Sequence, residues 1–224
     1  MSLSIIQLPV INIYIKIYKL TCIDTCMLAK NKEKTLVVFK PDVVQRQIVG
    51  EIVSRFERKG FKLVGMKMLI PSKELVGKHY EDKKEYLMET GEKAKKGAIA
   101  RGEDVSDWNS LERGRWIRES NINYLTCGPV IAIVLQGFGV ISGVRKMLGS
   151  TSPADGDVGT IRADFSLDSF ALADEQGRVT RSMVHASDSV ENAEREIGLW
   201  FNATEISEYE TAAEKIFYDV GWSN

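Results

Sequence analysis

Only two histidines and three cysteines occur in 224 residues, and the charges nearly cancel, leaving a formal net charge of −1. Cys22, Cys26 and Cys127 form neither a paired framework nor a CxxC metal signature. An odd count without a secretory signal fits a reducing cytosol. The balanced charge excludes an overall basic field for nucleic acid, so any positive site must be built locally. A long uninterrupted apolar run is also missing. Residues 3–22 are rich in isoleucine and tyrosine, but Pro9, Asn12, Lys16 and Lys19 interrupt them. A spanning helix needs roughly 20 predominantly apolar residues, and lysines within it are costly. The basic start and small-residue cleavage site of a signal peptide are absent too. These features predict a cytoplasmic protein without membrane contact. No period of about 20–50 residues repeats, which excludes a solenoid.

Residues 1–33 are unlike the rest. They read as a disordered or loosely attached extension, with a docking strand as the alternative and Met27 as a second candidate start. Residues 34–224 are expected to form one domain with insertions near 82–121 and 166–178. Thr35-Leu36-Val37-Val38-Phe39 is a continuous apolar run, which predicts a buried strand. Pro41 ends its ladder, and Asp42 can cap the helix after it. Residues 43–59 read as an amphipathic helix with Val44, Ile48, Ile52, Val53 and Phe56 on one face, stopped by Gly60. Residues 61–70 alternate as a returning strand, and Pro71-Ser72 opens a short helix carrying His79 and Tyr80. Residues 82–121 are dense in charge and read as a solvated helical insertion, with Gly91, Gly97 and Gly102 breaking helical runs. Helical spacing resumes over 106–124. An apolar strand over 130–135 leads to a short helix over 140–148, a long loop over 149–165 and a last strand near 181–185. A structureless loop of that length in a compact domain is usually functional. The order β-α-β, twice over, predicts an α+β fold of the ferredoxin-like split βαβ kind (βαββαβ). Its four-stranded antiparallel sheet is expected to carry helices across one face, with added helices and the two insertions.

His185 ends a short apolar run directly before a helix-start signal. Ser187, Asp188 and Ser189 are N-cap candidates, Glu191 lies in the first turn, and Val190, Ala193, Ile197 and Trp200 follow near helical spacing. A histidine there meets free backbone N–H groups, which suit anions. Taken singly, such a residue is more often a partly buried polar group. Three further loci change the reading: Lys40 at a strand end, Arg145 in the last turn of a helix, and Arg162 in the long loop. Three cations and one neutral nucleophile are what a polyphosphate site needs. The cations balance several negative charges and follow charge as it moves between oxygens. Arginine offers phosphate a rigid fork, and lysine a point charge.

Four stretches then resemble the nucleoside diphosphate kinase family: Lys40-Pro41-Asp42, Gly159-Thr160-Ile161-Arg162-Ala163-Asp164-Phe165, His185-Ala186-Ser187-Asp188-Ser189, and Glu194-Arg195-Glu196-Ile197-Gly198-Leu199-Trp200-Phe201. Residues 43–65 look like that family as well, and the resemblance spans about 34–81 and 122–218. It implies transfer of the γ-phosphate of a nucleoside triphosphate to a nucleoside diphosphate through a phosphohistidine, in a ping-pong scheme with His185 as nucleophile. Free imidazole titrates at about 6.5, so an unprotonated attacking nitrogen is available near neutral pH. The family assigns Glu196 to orient the other ring nitrogen and Ser187 to support Glu196. Lys40 and Tyr80 are implied near the transferring phosphate, and Arg145, Thr151 and Arg162 at the proximal ones. Mg2+ is implied as a bridge between phosphate oxygens, held by the substrate, since no carboxylate cluster marks a protein cage. The implied partners are nucleoside di- and triphosphates. The implied assembly is a homo-oligomer, tetramer or hexamer, to whose contacts residues 151–164 contribute.

Two departures from the family pattern bear on binding. The family's asparagine three residues before the nucleophile is Ser182 here, shorter and without an amide to reach the sugar hydroxyl, so weaker nucleotide binding is expected. The insertion near 82–121 occupies the region of the family's base-stacking aromatic. Ungapped counting from Gly128-Pro129 puts Arg118 there, whose guanidinium plane can stack, with Trp116, Trp108 and Tyr86 as aromatic alternatives. Ile122 and Val179 are implied as apolar walls of the base slot. A slot of stacking and apolar contact reads no base edge, which implies broad base specificity. Two other readings compete: a non-catalytic member serving as an assembly module, and nucleic-acid binding through residues 83–118. The retained Lys40, Arg162, His185 and Glu196 favour the enzyme. The acidic residues interleaved over 83–118 weigh against nucleic acid.

Overall fold

The computed structural model describes residues 32–218, so the extension expected over 1–33 lies almost wholly outside the described residues. Strand β1 (Lys32–Phe39) begins ahead of the expected domain start at 34. Strands β2 (Lys62–Leu69), β3 (Val130–Phe138) and β4 (Val184–Ala186) join it in one four-stranded antiparallel sheet. Their order, β2-β3-β1-β4, is the expected ferredoxin-like arrangement.

The central strands read as unbroken apolar runs because both of their faces are buried. Val37, Phe39, Ile133 and Leu135 pack into one core with Ile52 and Phe56. Leu36, Val38, Ala132 and Val134 pack into a second with Val76, Leu125 and Trp200. Helices therefore cover both faces of the sheet rather than the one expected. A strand apolar at every position has no face to leave to water. The same alternation sets the nucleophile's direction. Val184 and Ala186 turn into the first core, whereas His185, paired with Val38, turns to the other side.

Helices α1 (Pro41–Gln45) and α2 (Val49–Arg58) replace the single helix expected over 43–59. Gln47 enters the left-handed region at φ 59°. There the Ile48 N–H donates to the Val43 carbonyl (3.3 Å) and the Gln47 N–H to the Val44 carbonyl (3.1 Å). These are the two bonds of a Schellman closure, made here without glycine. Gly60, at φ 93°, closes α2 with the same pair of bonds, as expected. Helix α3 (Lys73–His79) starts at Ser72, whose hydroxyl accepts from the Leu75 N–H.

Helices α4 (Lys84–Ala100) and α5 (Ser110–Thr126) form a hairpin; α5 lies where helical spacing over 106–124 predicts it, and α4 is a regular helix where broken helical runs are expected. Gly91 and Gly97 lie inside α4 and do not break it. A methyl on Gly91 would fall on the Ser110 carbonyl, and one on Gly114 on the Leu87 carbonyl, so glycine lets two helix backbones touch. Gly91→Ala is expected to destabilise the chain by about 1–3 kcal/mol despite alanine's higher helix propensity. Urea denaturation of the full chain measures this, and a stabilised variant would show that the crossing has room.

Helix α6 (Val140–Leu148) lies where the spacing predicts it. The expected loop over 149–165 is instead built from a 3-10 turn at Pro153–Asp155 and helix α7 (Ile161–Phe165), which carries Arg162. Elements this short hold too few positions to show a period. Helix α8 (Phe170–Glu175) occupies the second insertion, and α9 (Val190–Trp200) and α10 (Ala212–Tyr218) follow β4. Among the described residues no helix is long and apolar enough to cross a membrane.

Candidate active site

Strand β4 is entered through a kink. Met183 is wholly buried with φ 62°, a conformation that costs a non-glycine residue energy. The Val184 N–H donates back to the Ser182 carbonyl at 2.6 Å. Two neighbours hold the bend. The Lys40 backbone N–H donates to the Met183 carbonyl (2.9 Å). The Arg162 guanidinium donates to the carbonyls of Ser182 (2.9 Å), Gly149 (2.8 Å) and Val184 (2.6 Å).

Beyond the kink, His185 Nε2 lies 3.0 Å from Glu196 Oε2, to which the Ser187 hydroxyl also donates at 2.6 Å. Ser187 is fixed to β1 in turn, its oxygen accepting from the Leu36 N–H (3.3 Å). Glu196 projects from α9, whose first turn is capped by the Ser189 hydroxyl accepting from the Asn192 N–H. Burial opposes ionisation of Glu196, but the hydrogen bond and charge of His185, with His79 and Ser187, outweigh it and hold the carboxyl at about 2. An ionised Glu196 can only accept, so it fixes the proton on Nε2 and leaves the lone pair on Nδ1.

The chain's other histidine completes this cluster, which nothing in the sequence announces. His79 is 3% exposed, meets the His185 ring edge to face at 4.3 Å between centroids, and accepts at Nδ1 from Trp200 Nε1 (3.2 Å). Burial first, then the charge of His185, hold it well below the usual imidazole range, although Glu196 opposes them. It is therefore a neutral packing partner. Its rarity is its only mark in the sequence. The ligand atoms of His79, His185 and Glu196 lie within 4.8 Å of one another. Trp200 occupies His79 Nδ1 and two donors occupy Glu196 Oε2, so the trio is an oriented nucleophile before it is a metal centre.

The cations crowd one another. Lys40 Nζ donates to the Ser182 hydroxyl at 2.9 Å and stands 4.9 Å from the centroid of the Tyr124 ring. Burial, with the charge of Arg162 and against that of Asp42, lowers the ammonium to about 8. Burial and Arg145 lower Arg162 to about 10. Cations packed together at the cost of their own proton affinity mark a site built for a polyanion. Burial keeps the Tyr80 hydroxyl protonated, above the usual phenol range, and able to donate.

Lys40, Tyr80, Arg145, Thr151, Arg162, Val179, Ser182, His185 and Glu196 all line one cavity of about 530 Å³. Ser187 stands behind Glu196, as the resemblance implies. Two expectations fail. Ile122 is 4% exposed and belongs with Leu125 to the stripe of α5 that packs on the sheet, and Ile117 of that helix lines the cavity instead. Arg118 donates to the Tyr80 carbonyl (2.8 Å) and the Gly77 carbonyl (3.1 Å), capping the end of α3 rather than facing a base. Trp108 is outside the cavity lining, whereas Trp116 and Tyr86 are in it. Burial raises the Tyr86 hydroxyl above the usual phenol range, with the charges of Asp188 and Glu196 acting the same way against a hydrogen bond to Thr90. The charged insertion is thus no solvated appendage, since one side of its hairpin walls the cavity.

A family model described as nucleoside diphosphate kinase matches residues 33–88 and 92–206. A curated relative, the nucleoside diphosphate kinase of Pyrobaculum aerophilum, is 44% identical over 180 residues, covering 79% of this chain and 98% of the relative. The crystal structure of an NDP kinase from the same organism matches with a TM-score of 0.75 at 42% identity, over 79% of this chain and 100% of that one. A nucleoside-diphosphate kinase from Borrelia burgdorferi, a transition-state mimic with bound vanadate and ADP, gives a TM-score of 0.68 at 35% identity, over 84% of this chain and 97% of that one.

Proposed function

The chain belongs to the nucleoside diphosphate kinase family and moves the γ-phosphate of a nucleoside triphosphate to a nucleoside diphosphate, and we propose that His185, Glu196 and the surrounding cations carry that reaction. The observation that most supports this assignment is the Nε2 hydrogen bond to Glu196, which leaves Nδ1 as the attacking atom. In the first step the Nδ1 lone pair forms a bond to the γ-phosphorus. The bond from that phosphorus to the bridging oxygen breaks, and the nucleoside diphosphate leaves with the electron pair. The second step is the reverse, with a different diphosphate as acceptor. Glu196 offsets the positive charge that grows on the ring. Lys40 and the Tyr80 hydroxyl serve the transferring phosphate, and Arg145, Thr151 and Arg162 the proximal ones. A guanidinium has five N–H donors. Arg162 gives three of them to carbonyls, so two remain for phosphate.

The family uses divalent cations, and Mg2+ is the ion proposed here. The side chains named at the phosphate end are cations and hydroxyls, and Glu196 has its Oε2 engaged by His185 and Ser187. Such a donor set fits an ion that arrives on the nucleotide's own oxygens, where it neutralises phosphate charge. Trp116 is proposed as the base platform, with Val179 as an apolar wall, which favours broad base specificity. Lys40 already engages the Ser182 hydroxyl, so an asparagine at 182 can satisfy the ammonium with its oxygen and keep its NH2 for the sugar. Ser182→Asn is expected to lower KM for ATP about fivefold, the worth of one hydrogen bond. An unchanged KM means that another group compensates.

A homo-oligomer, tetramer or hexamer, is proposed from the resemblance, and exposed apolar side chains at Met66, Met68, Ile70, Val158 and Leu167 support it. The odd cysteine count supports a cytoplasmic setting. The direct test of the active site is incubation with γ-labelled ATP and Mg2+, then peptide mapping. An acid-labile label on His185 is expected, and a label on any other residue overturns the assignment.

A further inference from the structure

The two insertions meet over the cavity, and one carboxylate joins them. Asp174 of α8 accepts from Arg113 Nη2 at 2.6 Å on one oxygen and from Arg101 Nη2 at 2.9 Å on the other. Both arginines come from the first insertion: Arg101 caps the end of α4, and Arg113 lies near the start of α5. Phe170, a turn before Asp174, places its ring 5.7 Å from the Arg101 guanidinium. The Arg113 guanidinium carbon lies over two indoles, 4.2 Å from the centroid of the Trp108 ring and 4.4 Å from that of Trp116. On the other side, the Arg178 N–H donates to the Ala173 carbonyl at 3.0 Å, which seats Val179 against the end of α8. Asp174, Arg113, Trp116 and Val179 all face the cavity that holds His185.

We propose that Asp174 is a positioning residue that fastens the two insertions into a single wall, presenting Trp116 and Val179 to the base half of a bound nucleotide. The proposal rests on the nucleotide reading of the cavity given above. Aromatic and apolar surface suits a flat, weakly hydrated base, whereas the cations around Lys40 suit phosphate. Removing the carboxylate leaves Arg113 without a counter-charge and facing Arg101, which keeps its other ion pair, Nε to Glu103 at 2.6 Å. Arg113 then loses the carboxylate that anchors it beside Trp116, and the wall loosens. The loss falls on the base half and leaves Nδ1 and the phosphate cations untouched. The joint is itself loose, since its three charged groups are each about a quarter exposed and screened by salt.

The experiment compares KM for ATP with inhibition by inorganic tripolyphosphate, which has phosphates and no base. Asp174→Asn is expected to raise KM for ATP about fivefold, the scale of a partly exposed ion-pair network. Its kcat stays within about twofold and its tripolyphosphate inhibition is unchanged. Arg113→Gln should do the same, and the double variant should be no worse than the weaker single, because both remove one joint. Asp174→Glu, which keeps the charge, should restore most of the affinity. An unchanged KM in Asp174→Asn overturns the proposal, as does equal weakening of ATP and tripolyphosphate. Should Asp174→Asn melt below the assay temperature, Arg113→Gln decides by the same two measurements. If tripolyphosphate fails to compete with ATP in the wild type, the site reading itself fails, whatever Asp174 does.

Discussion

His185→Ala is expected to take up no acid-labile label from γ-labelled ATP and to lose phosphotransfer altogether, whereas Glu196→Gln keeps the nucleophile and slows about 10²–10³-fold. The two losses differ because they remove different things. Alanine removes the atom that bonds to phosphorus. Glutamine keeps an oxygen that accepts from the Ser187 hydroxyl and from Nε2–H, so the ring keeps its tautomer and its orientation. What disappears is a full negative charge 3.0 Å from an imidazole that is becoming cationic. Rapid-quench measurement of phosphoenzyme formation separates the two. A Glu196→Gln rate within tenfold of wild type would show that the carboxylate charge is dispensable.

The same carboxylate sets a stability limit in acid. Glu196 titrates at about 2 in the folded chain against an ordinary 4.5. Its contribution is complete above about pH 4.5 and is lost as pH falls towards 2. The stability difference between wild type and Glu196→Gln should therefore shrink across that window.

Lys40→Met is expected to move activity and stability in opposite directions. Phosphotransfer should fall about 10²–10³-fold, because a fixed positive charge at the transferring phosphate is lost. Stability at pH 6.5 should rise. The folded chain holds this ammonium at about 8 instead of 10.5, so keeping it charged in the interior costs up to about 3 kcal/mol. The cost is full below pH 8. It fades as pH climbs from 8 towards 10.5, since the folded chain sheds the proton first and the unfolded chain still binds it. Calorimetry should show the variant's advantage at pH 6.5 and little of it at pH 10. A lower Tm for Lys40→Met at pH 6.5 would mean that the contacts to Ser182 and Tyr124 outweigh burial. The same deprotonation should raise the wild-type KM for ATP above pH 8.

The central strands, α6 and α9 are legible in the sequence because each shows one clear period over enough residues. The break at Gln47 is not, because the apolar pattern of 43–59 runs straight through it and the left-handed turn uses no glycine. The α4–α5 hairpin misleads for the opposite reason. Gly91 looks like a breaker when its helix is taken alone, and only its apposition to Ser110, with Gly114 set against Leu87, reveals a contact point. The motif residues Lys40, Arg162, His185 and Glu196 come together as expected. Arg118 and Ile122 do not join them: α5 runs unbroken over Ser110–Thr126, Arg118 is taken up by the end of α3 and Ile122 by the core, and Trp116 and Ile117 are the residues that face the cavity. Asp174 carries no local signal at all, since its partners lie 61 and 73 positions away along the chain.

The bend at Met183 is held by a guanidinium that also lines the cavity proposed for the nucleotide, so two kinds of selection converge on position 162. A screen that rewards only folded protein, blind to any nucleotide, would still retain arginine there and would let the exposed Arg145 drift. In a descendant that has abandoned phosphotransfer, arginine at 162 should outlive the activity. Arginine at 145 is then the better witness that a sequence still works as a kinase.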